Sequence, residues 1–269
     1  MPGFGYIPSP EDKRDLKTVG DDTALFGSKF GASVPTEHYN WLRFVEWIRD
    51  QGITSSCVWN AMQQQHFVRL GIRGISKRIP MSRLFGYWHT RHRNGSHTRD
   101  FGCIPREAWK AAAGMGFCKE TLWPFDEGRV NDKPDFDATS GAIDQKWLEG
   151  YYMIWGLTGR DNEVRQCIAK GHPVVFGTVV DQDFQDYRNG RITDVLKPPR
   201  GNKGRHMMCG VAYDTDGLWV INSWGKHWGS PDPTGKLPGG FFRMSWEWVN
   251  WSQATDWWAV EFAQNFVVP

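Results

Sequence analysis

Apolar positions follow one rhythm before about residue 171 and another after it. In the first part, Leu42, Val45 and Ile48 recur in three-residue steps within the short, Trp-rich stretch HYNWLRFVEWIRD. A helix is expected from Cys57 to about Leu70, because the run holds no glycine or proline and follows Ser55-Ser56, whose hydroxyls suit an N-cap. Its Gln63-Gln64-Gln65 run is more polar than a buried helix prefers. Pro105 to Gly114 predicts another helix, with proline in its first turn and glycine at its end. Asn162 to Lys170 predicts a shorter one that stops at Gly171. The basic, histidine-rich stretch 89–99 (HTRHRNGSHTR) and residues 126–141 read as loops. Beyond Gly171 the apolar runs shorten to VVFGTVV (174–180), HMMCGVAY (206–213), LWVIN (218–222), FFRM (241–244) and WWAVEF (257–262), separated by Gly, Pro and Asp, as in strands. Helices first and strands afterwards predict an α+β fold rather than alternating βαβ units.

Composition refines this picture. The chain has 269 residues, 40% of them apolar, with 16 tryptophans and 16 phenylalanines. That supports one large domain, or two lobes around a shared cleft, and argues against disorder. Residues 1–33, rich in Gly, Pro, Asp and Lys and without a clear period, read as an extended N-terminal arm. A net charge of +2 gives no basis for binding nucleic acid or a membrane surface. No run of 18 apolar residues predicts a transmembrane helix. The first residues lack the basic start and apolar core of a secretory signal, so a cytoplasmic or virion-associated location is expected. The five cysteines (57, 103, 118, 167 and 209) are odd in number and form no CxxC, which argues against a disulfide scaffold.

The position of Cys57 raises the chemical question. A thiol attacks as its thiolate, which is favoured by a helix N-terminus and by a neighbouring imidazolium. Cys57 has the first by position. For the second, His206 opens a strand that Asp214-Thr215-Asp216-Gly217 can reverse, and the return arm ends at Asn222. The two arms are nearly equal, so His206 and Asn222 belong at the same open end of one hairpin. An asparagine carbonyl there can hold one imidazole N–H and aim the other nitrogen at a thiol. Gln51 can supply an amide donor for a developing oxyanion beside the Cys57 N–H. Taken singly, a buried cysteine is usually packing and a strand histidine usually structural. The joint order of Gln, Cys, His and Asn is what points to a site.

These residues resemble the papain family of cysteine peptidases over about 34–265. QGITSSC (51–57) is similar to the family's Gln-Gly-x-Cys-Gly-Ser-Cys box, and NSWGKHWG (222–229) followed by GGFFRM to its Asn-Ser-Trp-Gly segment. The stretches 101–125 and 183–190 resemble the family's segment from the substrate-binding glycines to a Tyr-Pro-Tyr and the segment before its histidine. The resemblance implies a papain-like two-lobed fold: a mainly helical lobe at about 34–140, an antiparallel β lobe at about 141–269, and a site in the cleft between them. It implies that Cys57 is the nucleophile, His206 the acid/base, Asn222 its orienting partner and Gln51 the oxyanion donor, with Trp224 shielding the Asn–His hydrogen bond. Gly102 and Cys103 would hold an extended substrate strand. Ile104, Pro105, Gly177 and Met207 would surround the pocket for the side chain two before the cut bond, where a hydrophobic group is expected. The sequence departs from the family at Thr54, where a disulfide cysteine is usual, at Val58 in place of tryptophan, and at Arg205, where an acidic or polar residue is common. The arm is also shorter than the family's inhibitory propeptide, although it could lie across the cleft.

The expected activity is a cysteine endopeptidase acting on protein or peptide substrates through a Cys57 thioester, without metal or other cofactor. Two alternatives remain open at this level: a cell-wall amidase or transpeptidase using the same thiol, and a silent structural or binding protein of the same fold. His89, His92 and His97 beside Cys103 could ligate zinc, but their spacing matches no standard knuckle and a solvated basic loop is expected instead. Oligomeric state is not legible from the sequence.

Overall fold

The computed structural model describes residues 3–18, 34–143, 148–156 and 158–262. Of the arm expected at 1–33, residues 1, 2 and 19–33 lie outside this description.

Helix α1 (Cys57–Ile72) is buried along nearly its whole length and on all sides. The glutamine run explains how a polar helix can be central. Gln63 Nε2 donates to the Met81 carbonyl (2.5 Å), Gln64 Nε2 to that of Trp47 (3.1 Å), and Gln65 Nε2 to those of Pro173 (2.7 Å) and Trp258 (3.0 Å). Each amide meets a backbone carbonyl of another segment, so the helix is fastened to neighbours on several sides. Ser56 does not cap the helix with its hydroxyl as expected; its Oγ bonds Thr54 Oγ1 (2.7 Å) and Asn60 Nδ2 (2.9 Å).

Two expected loops are partly helical. Helix α2 (Arg83–Arg93) runs into the histidine-rich stretch. Ser82 caps it by accepting from the Phe85 N–H (3.1 Å), and buried Arg91 donates to the carbonyls of His97 (3.3 Å) and Arg99 (2.6 Å), folding 94–99 back onto the helix. Helix α3 (Pro105–Met115) follows the prediction. Within 126–141, a short 3-10 turn (Glu127–Arg129) precedes α4 (Phe136–Ile143), whose start is fixed by Asp135 Oδ1 accepting from Ala138 N–H (2.9 Å).

The second half is one antiparallel sheet of β1 (Leu148–Met153), β2 (Val174–Val180), β3 (Gly204–Tyr213), β4 (Gly217–Ile221), β5 (Phe241–Ser245) and β6 (Ala254–Phe262) in the order β1-β6-β2-β3-β4-β5. Strand β1 (LEGYYM) escapes the sequence reading because it is mostly half-exposed and does not alternate. Helices α5 (Arg160–Ala169), α6 (Gln182–Asp186) and α7 (Trp246–Val249) complete the architecture. One core joins Val58, Met62 and Val68 of α1 to Val175, Met207, Cys209 and Ile221 of the sheet. A second, tryptophan-rich core packs Val164, Ile168, Phe176, Val220, Trp248 and Trp257 together. All five cysteines are free thiols.

The arm is pinned along its described length. Leu16 O accepts from Met153 N–H (2.7 Å), and Thr18 N–H donates to Met153 O (3.1 Å). Arg106 of α3 forms a two-pronged pair with Asp15, buried on both sides, and also donates to the Pro10 carbonyl. Thr18 Oγ1 donates to Glu163 of α5.

Burial pushes the Glu163 carboxyl up to about 7, against the opposing pull of Arg160. A raised carboxyl keeps a proton in the folded state that the unfolded chain has lost, so stability falls as pH rises from about 4.5 through 7. The penalty above that window is at most about 3 kcal/mol. Glu163→Gln, which never ionises, is expected to match the parent in thermal melts near pH 4.5 and to melt several degrees higher at pH 8. A gap in melting temperature that does not widen with pH would remove this account of Glu163.

Candidate active site

Cys57 is the first residue of α1, and its N–H is among those left without a carbonyl inside the helix. His206 lies in β3 opposite Thr178 of β2. The β3–β4 register, with Cys209 opposite Ile221, carries Asn222 to the same end of the hairpin. There His206 Nε2 and Asn222 Oδ1 are 2.7 Å apart. Because Oδ1 also accepts from Ser223 N–H (2.7 Å), it is the carbonyl end of the amide that faces the ring, and Nε2 must carry the proton. That leaves Nδ1 basic, and it has no hydrogen-bond partner among the described residues. Trp224 lies over the imidazole, with ring centroids 4.6 Å apart and planes at 29°.

Gln51 is locked by its own partners. Its Oε1 accepts from Ser223 Oγ (2.6 Å), and its Nε2 donates to Thr54 O (2.7 Å) and to the carbonyl of Gly3 (3.0 Å). Thr54, at the position where the resembled family usually has a disulfide cysteine, closes the turn by hydrogen bonding to Gln51 O (2.7 Å).

The charge state differs from the sequence expectation. Burial pushes the Cys57 thiol up to about 11, and the backbone N–H groups of Met207, Gly5, Val58 and Cys57 itself offset that only in part. Burial likewise pushes His206 down to about 4, against the opposing effect of the Asn222 bond. Between these values the pair rests as thiol and neutral imidazole. Desolvation outweighs the helix N-terminus, and burial rather than Arg205 accounts for the depressed imidazole. The N–H of Met207 at the sulfur, one residue after His206, places the thiol beside the β3 backbone that carries the ring.

The arm runs through the cleft over these residues. The Gly5 carbonyl accepts from Cys103 N–H (2.8 Å), and Ile7 N–H donates to Cys103 O (3.1 Å), a parallel bridge centred on Tyr6 and Cys103. Phe4 meets His206 and Trp224 edge-on, at 6.5 and 6.1 Å. Gly5 presses on Ser55 so closely that a Cβ there would overlap the Ser55 carbonyl. The Gly5 backbone is among the groups that pull the Cys57 thiol down against burial.

The structure therefore brings Gln51, Cys57, His206, Asn222 and Trp224 together. Gly102 and Cys103 line the same groove, and they hold a strand of the chain itself. Gly177 faces the Tyr6 ring, while Met207 is buried beside Cys57. Ile104 and Pro105 sit at the N-cap and first turn of α3. Sequence reasoning missed Phe4, Gly5 and Tyr6 from the arm, and Thr255 and Asp256 from β6, which receive the Tyr6 hydroxyl. The Gly3-Phe4-Gly5-Tyr6 alternation was a usable signal: glycine where backbone meets backbone, aromatic where a pocket opens. In the histidine-rich stretch, Trp88 stacks on His92 (4.7 Å) and also meets His97 (5.2 Å). No group of three or more metal-ligating side chains occurs among the described residues.

Comparison with known proteins agrees with this geometry. A family model described as papain family cysteine protease matches residues 93–249. An uncharacterised peptidase C1-like protein of Acanthamoeba polyphaga mimivirus is 27% identical over 96% of this chain and 86% of its own length. Among solved structures, xylellain, a cysteine protease from Xylella fastidiosa, superposes with a TM-score of 0.78 at 24% identity, covering 98% of this chain and 97% of its own. A Carica candamarcensis cysteine protease in complex with E-64 has a TM-score of 0.60 at 20% identity, over 79% of this chain and 89% of its own. At these identities the two structures speak for the fold.

Proposed function

Because the chain belongs to the papain family of cysteine proteases, we propose that it is an endopeptidase whose nucleophile is Cys57 and whose acid/base is His206, held latent by its own N-terminal arm. The observation that carries this reading is the 2.7 Å bond from His206 Nε2 to Asn222, which leaves Nδ1 as the basic nitrogen beside the helix that starts at Cys57.

The reaction follows from those positions. Nδ1 takes the proton of the thiol as sulfur attacks the peptide carbonyl and the S–C bond forms. The oxygen gains negative charge and is met by Gln51 Nε2 and the Cys57 N–H, each such donor being worth about 3–4 kcal/mol in comparable sites. Nδ1 returns its proton to the leaving amine as the C–N bond breaks, leaving a thioester. Water then loses a proton to Nδ1, attacks the thioester and expels the thiolate, which is reprotonated. Asn222 keeps the ring in one tautomer throughout.

Substrate cannot enter while the arm holds Cys103, Gln51 and the sulfur. In the closed arrangement the Gly3 carbonyl of the arm occupies the Gln51 amide that would meet the oxyanion. A thiol-directed epoxide is expected to modify Cys57 alone among the five cysteines once the arm is displaced, with mass mapping as the readout. Preferential labelling of another cysteine, or of none, would overturn the assignment of the nucleophile.

A further inference from the structure

The pocket next to the sulfur has an unusual floor. Between the pairs Val175–Trp258 and Gly177–Thr255, strand β2 spends one residue where β6 spends two, Asp256 and Trp257. This is a bulge, a device that re-aims a side chain. Asp256 takes up the irregularity with a φ of +49°, uncommon for a residue with a side chain, although aspartate tolerates it better than most. Asp256 is 7% exposed. Its Oδ2 accepts from the Tyr6 hydroxyl (2.7 Å) and the Ser9 N–H (2.8 Å), and its Oδ1 from Trp258 Nε1 (3.2 Å). Thr255 Oγ1 also meets the Tyr6 hydroxyl. The wall is Gly177, where any Cβ would overlap the Tyr6 ring.

From this we infer that Asp256 is a specificity-determining residue and that the pocket selects tyrosine two residues before the cut bond, in place of the purely hydrophobic side chain expected from Ile104, Pro105, Gly177 and Met207. The inference rests on the endopeptidase reading above. When residues 3–7 lift, Asp256 loses the Tyr6 hydroxyl and keeps the Ser9 N–H and Trp258 Nε1. A substrate phenol restores the missing donor while its ring refills the space against Gly177. Phenylalanine fills the space and leaves a buried carboxylate short of a donor, a loss that sites built around a hydroxyl discriminate against strongly. A cationic side chain is less well matched, because the guanidinium groups of Arg205 and Arg106 already lie within electrostatic reach of the Tyr6 hydroxyl and Asp256 respectively.

The test uses the full chain carrying Gly5→Val to displace the arm, or Tyr6→Ala should that variant not fold, with fluorogenic peptides that differ only in Tyr, Phe, Leu or Arg at the second position before the reporter. Tyrosine is expected to exceed phenylalanine in kcat/KM by roughly 10- to 100-fold. In Asp256→Ala the tyrosine-to-phenylalanine ratio should fall towards unity. Phenylalanine or leucine equal to tyrosine with Asp256 intact, or arginine preferred over all, would overturn the inference while leaving the endopeptidase reading in place. Hydrolysis of none of the peptides by a folded variant whose Cys57 the epoxide labels would overturn the endopeptidase reading and this inference with it.

Discussion

His206→Ala is expected to lower kcat/KM for peptide hydrolysis by roughly 10⁴-fold, measured in the arm-displaced background so that access is not limiting. The magnitude follows from what one nitrogen does. Nδ1 removes the proton of the thiol, protonates the leaving amine and activates water, so its loss touches both half-reactions. No neighbour is placed to substitute: Nδ1 has no hydrogen-bond partner among the described residues, and Asn222 cannot accept and release a proton at neutral pH. Some stability is lost as well, since a buried ring is removed and Asn222 Oδ1 keeps only the Ser223 N–H, a cost of about 1–3 kcal/mol. A thermal melt run beside the assay separates the two effects. A folded His206→Ala protein that hydrolyses peptides at the parental rate would remove His206 from the chemistry.

The site was legible where chemistry depends on residues close in sequence or joined by one hairpin. His206 and Asn222 could be paired from strand lengths alone, because a two-stranded register is short-range information. Cys57 at a helix start and Gln51 six residues before it were legible for the same reason. The ionisation state was not. A helix N-terminus and an imidazole argue for a depressed thiol, yet burial gives a raised one, and residues 3–6, distant in sequence, lie against the segment 53–55 beside it. The helix at 57–72 was correctly read as a helix, but its centrality was hidden by three glutamines whose partners lie 17 to 193 residues away. The helix across 83–93 was obscured by its basic surface, since the determinants are a Ser82 cap and the burial of Tyr87, Trp88 and Arg91. Asp256 carried no local mark at all: its meaning is set by a bulge against β2 and by a tyrosine 250 positions earlier.

Gly5→Val is expected to raise the alkylation rate of Cys57 by iodoacetamide at pH 7 by on the order of 100-fold or more, and to raise peptide hydrolysis with it. The closed protein is slow for two reasons that share one cause. With the thiol near 11, only about one molecule in 10⁴ carries the thiolate at pH 7, whereas an unperturbed cysteine near 8.5 carries a few per cent. The sulfur is also completely covered. A side chain at position 5 cannot be accommodated by a rotamer change, because the overlap is with the Ser55 backbone itself. The segment from Gly3 to Ile7 must therefore lift, while the Asp15–Arg106 pair and the Met153 bridges hold the rest of the arm. Lifting it rehydrates the sulfur, frees Gln51 Nε2 and opens the groove at Cys103 together. The pH profiles carry the sign: alkylation of the parent should climb until about pH 11, and that of Gly5→Val should level off at lower pH as the thiol returns towards its ordinary range. Lys13→Ala, in the exposed part of the arm away from the cleft, should behave as the parent. A Gly5→Val protein alkylated no faster than the parent, with an unchanged pH profile, would mean that something other than the arm keeps this thiol protonated and out of reach.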